Sequence, residues 1–352
     1  MMAGPGEVKL AIVGCGAVAQ ERYLPAASLV SNLAITHVVD LDIERARKVA
    51  NRFQIPNFVD DYRQVYDLVD AVVVATPPKS HAQISIDCLD RGLHVLCEKP
   101  LAICVQEAQE MIKASRRART HLAVGMVRRL SWSSQLMKRL VQENVLGEIH
   151  RFDVEEGGEF GWPLRTGHIF TNGSAGGVLA DAGAHIFDLV LWILGSQRVQ
   201  LVRCADDNWG GVEANAVVEL TVERHSRPIV GRVELSFTRS LRNTLRIYGE
   251  KGCLEAPTRD GVEALFHLND EDADPVILRL PNAKPMKKTQ AFALQLSNLV
   301  DSIIDGASKY VAADQVLTSI SLIEQCHRTR EIAVQPWERK RVESFFRSKS
   351  NG

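Results

Sequence analysis

Residues 8–19 have the sequence VKLAIVGCGAVA, and this stretch determines the fold class. Val8 to Val13 form a short apolar run that stops at a glycine, which is typical of a strand buried in a parallel sheet. Gly14 to Ala19 follow as GxGxxA. Glycines allow the tight turn and the close approach of a pyrophosphate, and a small third residue lets the next helix pack on the strand. The stretch therefore predicts a dinucleotide-binding βαβ unit.

Strand and helix patterns continue to alternate from this unit to about Met126. Further strands are predicted at Ala34–Val39, Ala71–Ala75, His94–Cys97 and His121–Val124, and helices at Val18–Leu29, Ile43–Phe53, His81–Arg91 and Val105–Arg119. Such alternation is typical of a doubly wound parallel sheet, the Rossmann architecture. We expect this α/β domain over residues 7–127.

The pattern changes after residue 127. A helix is predicted near Ser134–Glu143 and an extended segment at Glu148–Glu156; mostly strands lie between Arg198 and Leu280, and two helices follow near Thr289–Ile304 and Ala313–Arg330. Consecutive strands with short connections predict an α+β domain with a large open mixed or antiparallel sheet. We assign substrate binding and oligomerisation to residues 128–332, and a basic, solvated tail to residues 333–352.

Bulk composition narrows the class of protein. The chain has 352 residues, 45% hydrophobic, and a formal net charge of -1, so we expect no nucleic-acid and no membrane partner. The N-terminal sequence lacks a signal-peptide pattern. Seven scattered cysteines without CxxC spacing are typical of reduced thiols rather than a disulfide framework or a zinc site. We expect a soluble, cytoplasmic protein.

An acid follows the second predicted strand at Asp40. A carboxylate there accepts hydrogen bonds from the ribose hydroxyls of NAD and repels the additional phosphate of NADP. Asp40 could instead be a turn residue or a helix cap, but Asp42 is better placed to cap the helix that begins at Ile43. The sequence therefore favours NAD over NADP as the cofactor.

Two further strands end in polar segments at the carboxyl edge of the sheet, where doubly wound folds bind ligands. Ala75-Thr76-Pro77 ends one of them, with His81 four residues on, and Glu98-Lys99-Pro100 ends the next. A lysine at this edge could donate a hydrogen bond to a substrate oxygen and take part in acid–base chemistry. Without further information, however, a lysine in such a segment is more commonly a surface residue on a loop.

Asp181 and His185 are four residues apart in an apolar helical stretch, so they can meet on one face. An aspartate beside a histidine fixes the imidazole tautomer and raises its basicity, which suits removal of a hydroxyl proton. Two alternatives remain open at this point. The pair could be a buried structural contact, or Asp181, His185 and Asp188 could bind a metal, although no second histidine or acid cluster lies nearby.

The segments VATPPxxH, ExP with a central lysine, and GGVLxDxGxHxxD, in this order, resemble the signature set of the glucose–fructose oxidoreductase / inositol dehydrogenase / MocA (Gfo/Idh/MocA) family. The resemblance implies an NAD(P)-dependent dehydrogenase or reductase in which Lys99, Asp181 and His185 are catalytic and no metal takes part. The residues then expected to contact the cofactor are Gly14, Gly16, Ala17, Val18, Asp40, Leu41, Arg45, Ala75, Thr76, Pro77, His81, Glu98 and Lys99.

The substrate implied by this resemblance is a sugar, nucleotide sugar or cyclitol, oxidised or reduced at a secondary alcohol or ketone carbon. Arg128 and Arg129 occupy the place of the family's substrate-side arginine, and either could face the substrate. Aromatic and hydrogen-bonding side chains suit a polyhydroxylated ring. The expected substrate contacts are Lys99, Arg128, Trp162, Arg165, Asn172, Asp181 and His185.

Two other functions stay open within the same family. One is an NAD-dependent glycoside hydrolase, which oxidises its substrate only transiently, and the other is a regulator that binds the dinucleotide without catalysis. The regulator would be expected to lack part of the catalytic set, which this sequence keeps. We expect one face of the second sheet to be free of helices, and a broad apolar sheet face tends to be covered by another subunit. The sequence therefore predicts a homodimer or homotetramer.

Overall fold

The computed structural model describes residues 6–161, 176–208, 211–270, 273–306 and 310–333. Six strands form the first sheet: β1 (Val8–Val13), β2 (Leu33–Val39), β3 (Asn57–Val59), β4 (Ala71–Val74), β5 (His94–Cys97) and β6 (Leu122–Val124). They are parallel and lie in the order β3-β2-β1-β4-β5-β6. This is the strand order of the Rossmann fold, so the predicted architecture is confirmed.

Four helices connect these strands: α1 (Leu24–Ala27), α2 (Ile43–Phe53), α3 (His81–Asp90) and α4 (Val105–Ala118). A π-helical turn, Ala19–Tyr23, separates the glycine segment from α1. The sequence patterns missed β3. Its three residues are exposed or half-buried at the sheet edge, so they lack the apolar run that marked the other strands.

The second sheet has nine strands: β7 (Ile149–Gly157), β8 (Val199–Asp206), β9 (Asn215–Arg224), β10 (Arg227–Ser236), β11 (Thr244–Gly249), β12 (Gly252–Pro257), β13 (Glu263–Leu268), β14 (Val276–Arg279) and β15 (Glu331–Ile332). Their order is β14-β13-β12-β11-β7-β10-β9-β8-β15. Parallel pairing occurs at β10–β7 and β15–β8, and the other pairs are antiparallel. The prediction of a large mixed sheet is therefore confirmed.

Four more helices complete the described fold: α5 (Trp132–Gln142), α6 (Ala184–Leu194), α7 (Lys288–Asp305) and α8 (Leu317–Thr329). Residues of α5, α6 and α8 share a buried core with one face of the second sheet. Helix α7 packs instead in the core of the first sheet, through Ala293, Leu296, Leu299 and Val300. Helix α7 therefore follows residue 127 in sequence but packs with the domain that precedes this residue.

The other face of the second sheet is not broadly apolar. Its strands present ion pairs between Arg151 and Asp153, between Arg232 and Glu234, and between Arg246 and Glu255. The assumption of a broad apolar face was therefore wrong, because charged residues occupy several outward positions of β7, β10, β11 and β12. The homodimer or homotetramer remains a prediction, but an apolar sheet face no longer supports it.

Two further observations bear on the class of protein. No helix in the described ranges is both long and apolar enough to cross a membrane. All seven cysteines lie in described residues and are free thiols.

Candidate active site

A cleft of about 1020 Å³ runs along the carboxyl edge of the first sheet. Its walls come from the glycine segment after β1, the ends of β2, β4 and β5, the start of α5, the segment at residues 180–185 that leads into α6, and the turn at residues 259–261. Ligands of doubly wound folds bind at this edge. The cleft is large enough for a dinucleotide and a second small molecule together.

Gly14 shapes the end of the cleft nearest β1. Its φ is +99°, and a Cβ atom there would lie 2.6 Å from the Ala75 carbonyl oxygen. Only glycine fits such a turn between two adjacent parallel strands. At Gly16, which also lines the cleft, nothing lies within 4 Å of a Cβ position. The backbone is thus bare where a pyrophosphate would approach, so these residues fit a bound dinucleotide.

Asp40 lines the cleft at the end of β2, and its side chain is 10% exposed. It accepts hydrogen bonds from the Cys15 N–H at 2.9 Å, the Asp42 N–H at 3.0 Å and Arg45 Nη1 at 2.9 Å. A carboxylate has about four acceptor sites, so one remains for a ligand hydroxyl. Asp42 caps α2 by accepting from the Arg45 N–H. The expectation that Asp42 would be the cap is therefore confirmed.

The ends of β4 and β5 meet beside the glycine segment. Ala75, Thr76 and Pro77 line the cleft, as do Ala17, Val18, Leu41 and Arg45. His81 does not. It is 1% exposed, and its ring nitrogens lie 2.8 Å from the carbonyl oxygens of Thr76 and Pro100. The structure therefore places His81 behind the cleft wall, where it joins the two strand-end segments.

Lys99 points into the cleft from the segment after β5. Its Nζ forms an ion pair with the Asp181 carboxylate and lies 3.3 Å from the Asp181 carbonyl oxygen. The two side chains are only 17% and 31% exposed, so little water screens the pair. The structure therefore brings together two of the three predicted catalytic residues, which are 82 positions apart in sequence.

His185 lines the same cleft from the first turn of α6, and Asp181 lies in the π-helical turn Leu179–Gly183 just before it. Short π-helical segments within helices are common at functional sites. The Nδ1 atom of His185 is buried, with no hydrogen-bond partner in the described part of the chain. The predicted direct pairing with Asp181 is thus replaced in this structure by the pairing of Asp181 with Lys99.

The basicity of His185 also differs from the sequence-based expectation. Burial, followed by the positive charges of Arg128, Lys99 and Arg259, lowers the pKa of His185 well below its usual value. We expected a neighbouring carboxylate to raise it. The cause of the difference is that Asp181 is turned toward Lys99, while three cations face the imidazole. His185 is therefore neutral near physiological pH, and its unprotonated nitrogen is available to a proton, although as a weaker base than a free histidine.

The structure decides which of the two adjacent arginines faces the cleft. Arg128 lines it and forms an ion pair with buried Glu156 at 3.1 Å. Arg129 points into the core, where its guanidinium pairs with Asp188 at 2.5 and 2.8 Å. Because both carboxylate oxygens of Asp188 contact Arg129, Asp188 is not free for the metal site considered above. Within the described residues, no cluster of His, Cys, Asp and Glu suits a metal ion.

The sequence analysis missed several cleft residues, among them Trp132, Arg259 and Asp260. Trp132 begins α5, and the other two lie in the turn between β12 and β13. A hydrogen bond of 3.0 Å from the Ser133 N–H to the Gly261 carbonyl oxygen joins these segments. The signal available in the sequence for such a site was an aromatic residue together with charged residues. No local sequence pattern, however, predicts that residue 260 lies next to residue 132.

Arg259 and Arg128 share the carboxylate of Glu156, which also accepts from the Thr258 hydroxyl. Although burial acts in the opposite direction, Arg128, the Thr258 hydroxyl and Arg259 lower the pKa of Glu156. Glu156 therefore stays ionised and holds both arginines at the cleft wall. The predicted substrate residues Trp162, Arg165 and Asn172 lie outside the described residues.

Two models of known protein families match this chain. Residues 8–126 match the family described as "Oxidoreductase family, NAD-binding Rossmann fold", and residues 134–255 match the GFO/IDH/MocA C-terminal domain. The chain belongs to the Gfo/Idh/MocA oxidoreductase family. The sequence resemblance is thereby confirmed over both halves of the protein.

Individual members of the Gfo/Idh/MocA family act on sugars. D-glucoside 3-dehydrogenase of Escherichia coli is 29% identical over 55% of this chain and 56% of its own length. Glucose-6-phosphate 3-dehydrogenase of Bacillus subtilis is 27% identical over 54% of this chain and 55% of its own length. The matched segments thus span only about half of each of these relatives.

Similarity of fold extends further along the chain. The crystal structure of aldose-aldose oxidoreductase from Caulobacter crescentus has a TM-score of 0.78, with 23% identity, and covers 92% of this chain and 97% of that one. A 3-ketoreductase from Actinomadura kijaniata, solved with NADP and TDP-benzene, also has a TM-score of 0.78 at 19% identity, covering 94% and 100%. These structures show that the two-domain fold is shared.

Proposed function

We propose that this protein is an NAD(H)-dependent dehydrogenase or reductase that transfers a hydride to or from a secondary alcohol or ketone carbon of a sugar, nucleotide sugar or cyclitol. One observation carries the proposal: the Lys99–Asp181 pair and neutral His185 lie in the same cleft as the glycine segment and Asp40. Proton-transfer groups thus stand beside a surface suited to a dinucleotide. The names of the sugar dehydrogenases above favour the same substrate class.

The cofactor would be held by the main chain around Gly14 and Gly16, by Asp40 on the ribose, and by the strand-end segments at Ala75–Pro77 and Glu98–Lys99. When bound, its nicotinamide supplies or accepts the hydride. The protein's own task is to orient the substrate and to move the hydroxyl proton. Orientation alone can account for a large part of such a rate acceleration.

Lys99 has the geometry to donate a hydrogen bond to the reacting oxygen. Its partner Asp181 fixes the position of Nζ and balances its charge inside the cleft. In the oxidation direction, the hydroxyl proton leaves as the carbon loses its hydride, and neutral His185 can accept it. Lys99, Arg128 and Arg259 would oppose the charge that His185 gains, so the proton should not rest there, and passage onward to solvent is favoured.

The substrate end of the cleft suits a polyhydroxylated ring. Trp132 offers an aromatic face for the C–H face of a sugar, and Asp260 and Arg128 offer an acceptor and donors for hydroxyl groups. We therefore assign Trp132, Arg259 and Asp260 to substrate contact, together with the predicted residues Lys99, Arg128, Asp181 and His185.

A screen of sugars, nucleotide sugars and inositols, with NAD and with NADP, tests the proposal through nicotinamide absorbance. We expect net formation of NADH with at least one member of these classes. A glycoside hydrolase would cleave a glycoside without a net change in NADH, and a regulator would bind NAD(H) without turnover. Either result would replace the proposed reaction.

A change of cofactor preference tests the assignment of Asp40. We expect Asp40→Ser to shift the ratio of kcat/KM for NADP over NAD upward by about tenfold to hundredfold, which corresponds to one charge-assisted interaction. The substitution removes the carboxylate that would repel a 2′-phosphate. It also releases Arg45 Nη1, now 2.9 Å from Asp40, to bind that phosphate, while Arg45 Nη2 keeps its ion pair with Asp42 at 3.1 Å.

The matched control for this shift is Asp42→Ser, which removes a neighbouring acid but keeps a residue able to cap α2. Its cofactor ratio should stay within about twofold of the unmodified protein. A strong preference of the unmodified protein for NADP, or an equal shift in both variants, would contradict the role given to Asp40.

A further inference from the structure

A chain of buried hydrogen bonds connects helix α7 to the main chain of Lys99. Gln295 Nε2 donates to the Tyr23 hydroxyl at 2.9 Å, and that hydroxyl donates to Glu98 Oε1 at 2.6 Å. The other oxygen of Glu98 accepts the Lys99 N–H at 3.0 Å. The chain thus joins three elements that are distant in sequence: α7, the π-helical turn after the glycine segment, and the end of β5.

Every side chain in this network is removed from water. Tyr23 is fully buried, Gln295 is 6% exposed and Glu98 is 8% exposed. Packing also limits how Glu98 can move, because a Cβ atom on Gly125 would lie 3.0 Å from its carboxylate. Tyr23 is held in turn by an edge-to-face contact with Phe292 at 5.0 Å. The Glu98 carboxylate is therefore held in one position, in which it accepts hydrogen bonds from two fixed donors.

The charged and titratable groups that face Glu98 are few. Tyr23 faces it from the π-helical turn before α1, Lys99 from the next position in the chain, and Asp181 from the π-helical turn before α6. The Cys97 thiol lies beside the network, next to Tyr23. Burial raises the pKa of Glu98, whereas the Tyr23 hydroxyl and the charge of Lys99 oppose that rise. The Tyr23 donor is therefore the uncharged group that most favours the ionised form.

We propose that Tyr23 and Gln295 are positioning residues, which favour the ionised form of the Glu98 carboxylate, turn it toward the Lys99 main chain and so fix where the Lys99 side chain enters the cleft. This inference rests on the proposed function for Lys99. Neither residue touches the substrate; Tyr23 acts through Glu98, and Gln295 acts through Tyr23. Buried carboxylates with fixed donors are the usual means of orienting a neighbouring functional group.

Thermal unfolding of the ligand-free Tyr23→Phe variant, measured from about pH 4 to pH 8, tests the first half of the proposal. A raised pKa in the folded state means that stability falls as pH rises from the ordinary glutamate value through the folded one. Loss of the Tyr23 donor raises that pKa further. The deficit in Tm should therefore be small near pH 4, where Glu98 is protonated in both proteins, and should grow toward pH 8.

The second half is tested by the pH dependence of kcat. We expect the midpoint of the acid-side loss of activity to move to higher pH by about one unit in Tyr23→Phe, the size expected for one hydrogen bond to a charged group. Gln295→Leu should move it in the same direction by less, because Tyr23 keeps its own bond to Glu98. If Tyr23→Phe fails to fold, Gln295→Leu carries both measurements.

Tyr310→Phe is the matched control, since it removes another long-range hydroxyl hydrogen bond, 2.9 Å to His121, away from the cleft. Its pH profile of kcat should be unchanged. A Tm deficit in Tyr23→Phe that is the same at every pH, or an unmoved activity profile, would show a purely structural role and overturn the proposal. Absence of turnover on any substrate would instead refute the proposed function, while the ligand-free unfolding measurement would still decide whether Tyr23 favours the ionised form of Glu98.

Discussion

Lys99→Ala is expected to lower kcat about a thousandfold, the range lost with a positioned acid–base group. The variant removes the ammonium that pairs with Asp181 and faces the cleft. The free energy of unfolding should fall by less than about 3 kcal/mol, the lower limit for a fully buried ion pair, because the Asp181 carboxylate left behind is 31% exposed to water. Steady-state kinetics on the substrate found by the screen gives kcat, and binding of NADH, followed by fluorescence, should change by less than about tenfold.

A matched control for this loss is Lys79→Ala. Lys79 lies on the short turn Pro78–Ser80 at the same edge of the sheet, but it is exposed and does not line the cleft. Its kcat should stay within about twofold of the unmodified protein. Lys99→Arg should not restore activity, because a guanidinium keeps its proton and has a different shape.

His185→Ala should lower kcat by a similar factor, and the double variant should lose little more, because the two residues act on one proton path. If Lys99→Ala keeps more than about a tenth of the activity, Lys99 is not the group that contacts the reacting oxygen. If the two losses multiply in the double variant, Lys99 and His185 serve separate steps.

Local sequence patterns could predict those elements of the fold whose conformation depends on residues close to them in sequence. The run Val8–Val13 and the glycines after it were sufficient to predict β1 and the nucleotide-binding turn, because a buried parallel strand and a positive-φ glycine both leave a mark in sequence. Strand β3 leaves no such mark, since it is short and at an edge. Its place is fixed by pairing with β2.

The candidate site likewise depends on contacts between distant residues, which local sequence patterns could not predict. Lys99 was predicted because its segment resembles a family signature; its ion-pair partner is Asp181, which the fold brings to it across 82 positions. The effect of that contact on His185 could not be foreseen, because the spacing of four residues suggested an Asp–His pair. Which of Arg128 and Arg129 faces the cleft was likewise decided by tertiary packing, through Asp188.

Asp188→Ala is expected to lower the free energy of unfolding by about 3–5 kcal/mol, the range measured when one partner of a buried ion pair is removed. Asp188 and Arg129 are only 2% and 5% exposed, and two hydrogen bonds join them. Removal of the carboxylate leaves the Arg129 guanidinium in the core with Gln315 as its remaining polar side-chain partner among the described bonds. Urea unfolding followed by circular dichroism measures the difference.

The exposed pair between Arg139 and Glu143 on α5 provides the control, since its side chains are 61% and 53% exposed. Glu143→Ala should change stability by less than about 1 kcal/mol, because water screens the pair. The double variant Arg129→Met/Asp188→Leu should recover most of the loss, since apolar side chains of similar volume can replace a buried ion pair. Equal effects of Asp188→Ala and Glu143→Ala would mean that water reaches the Arg129–Asp188 pair, and α6 would then lack the internal anchor that holds His185 at the cleft.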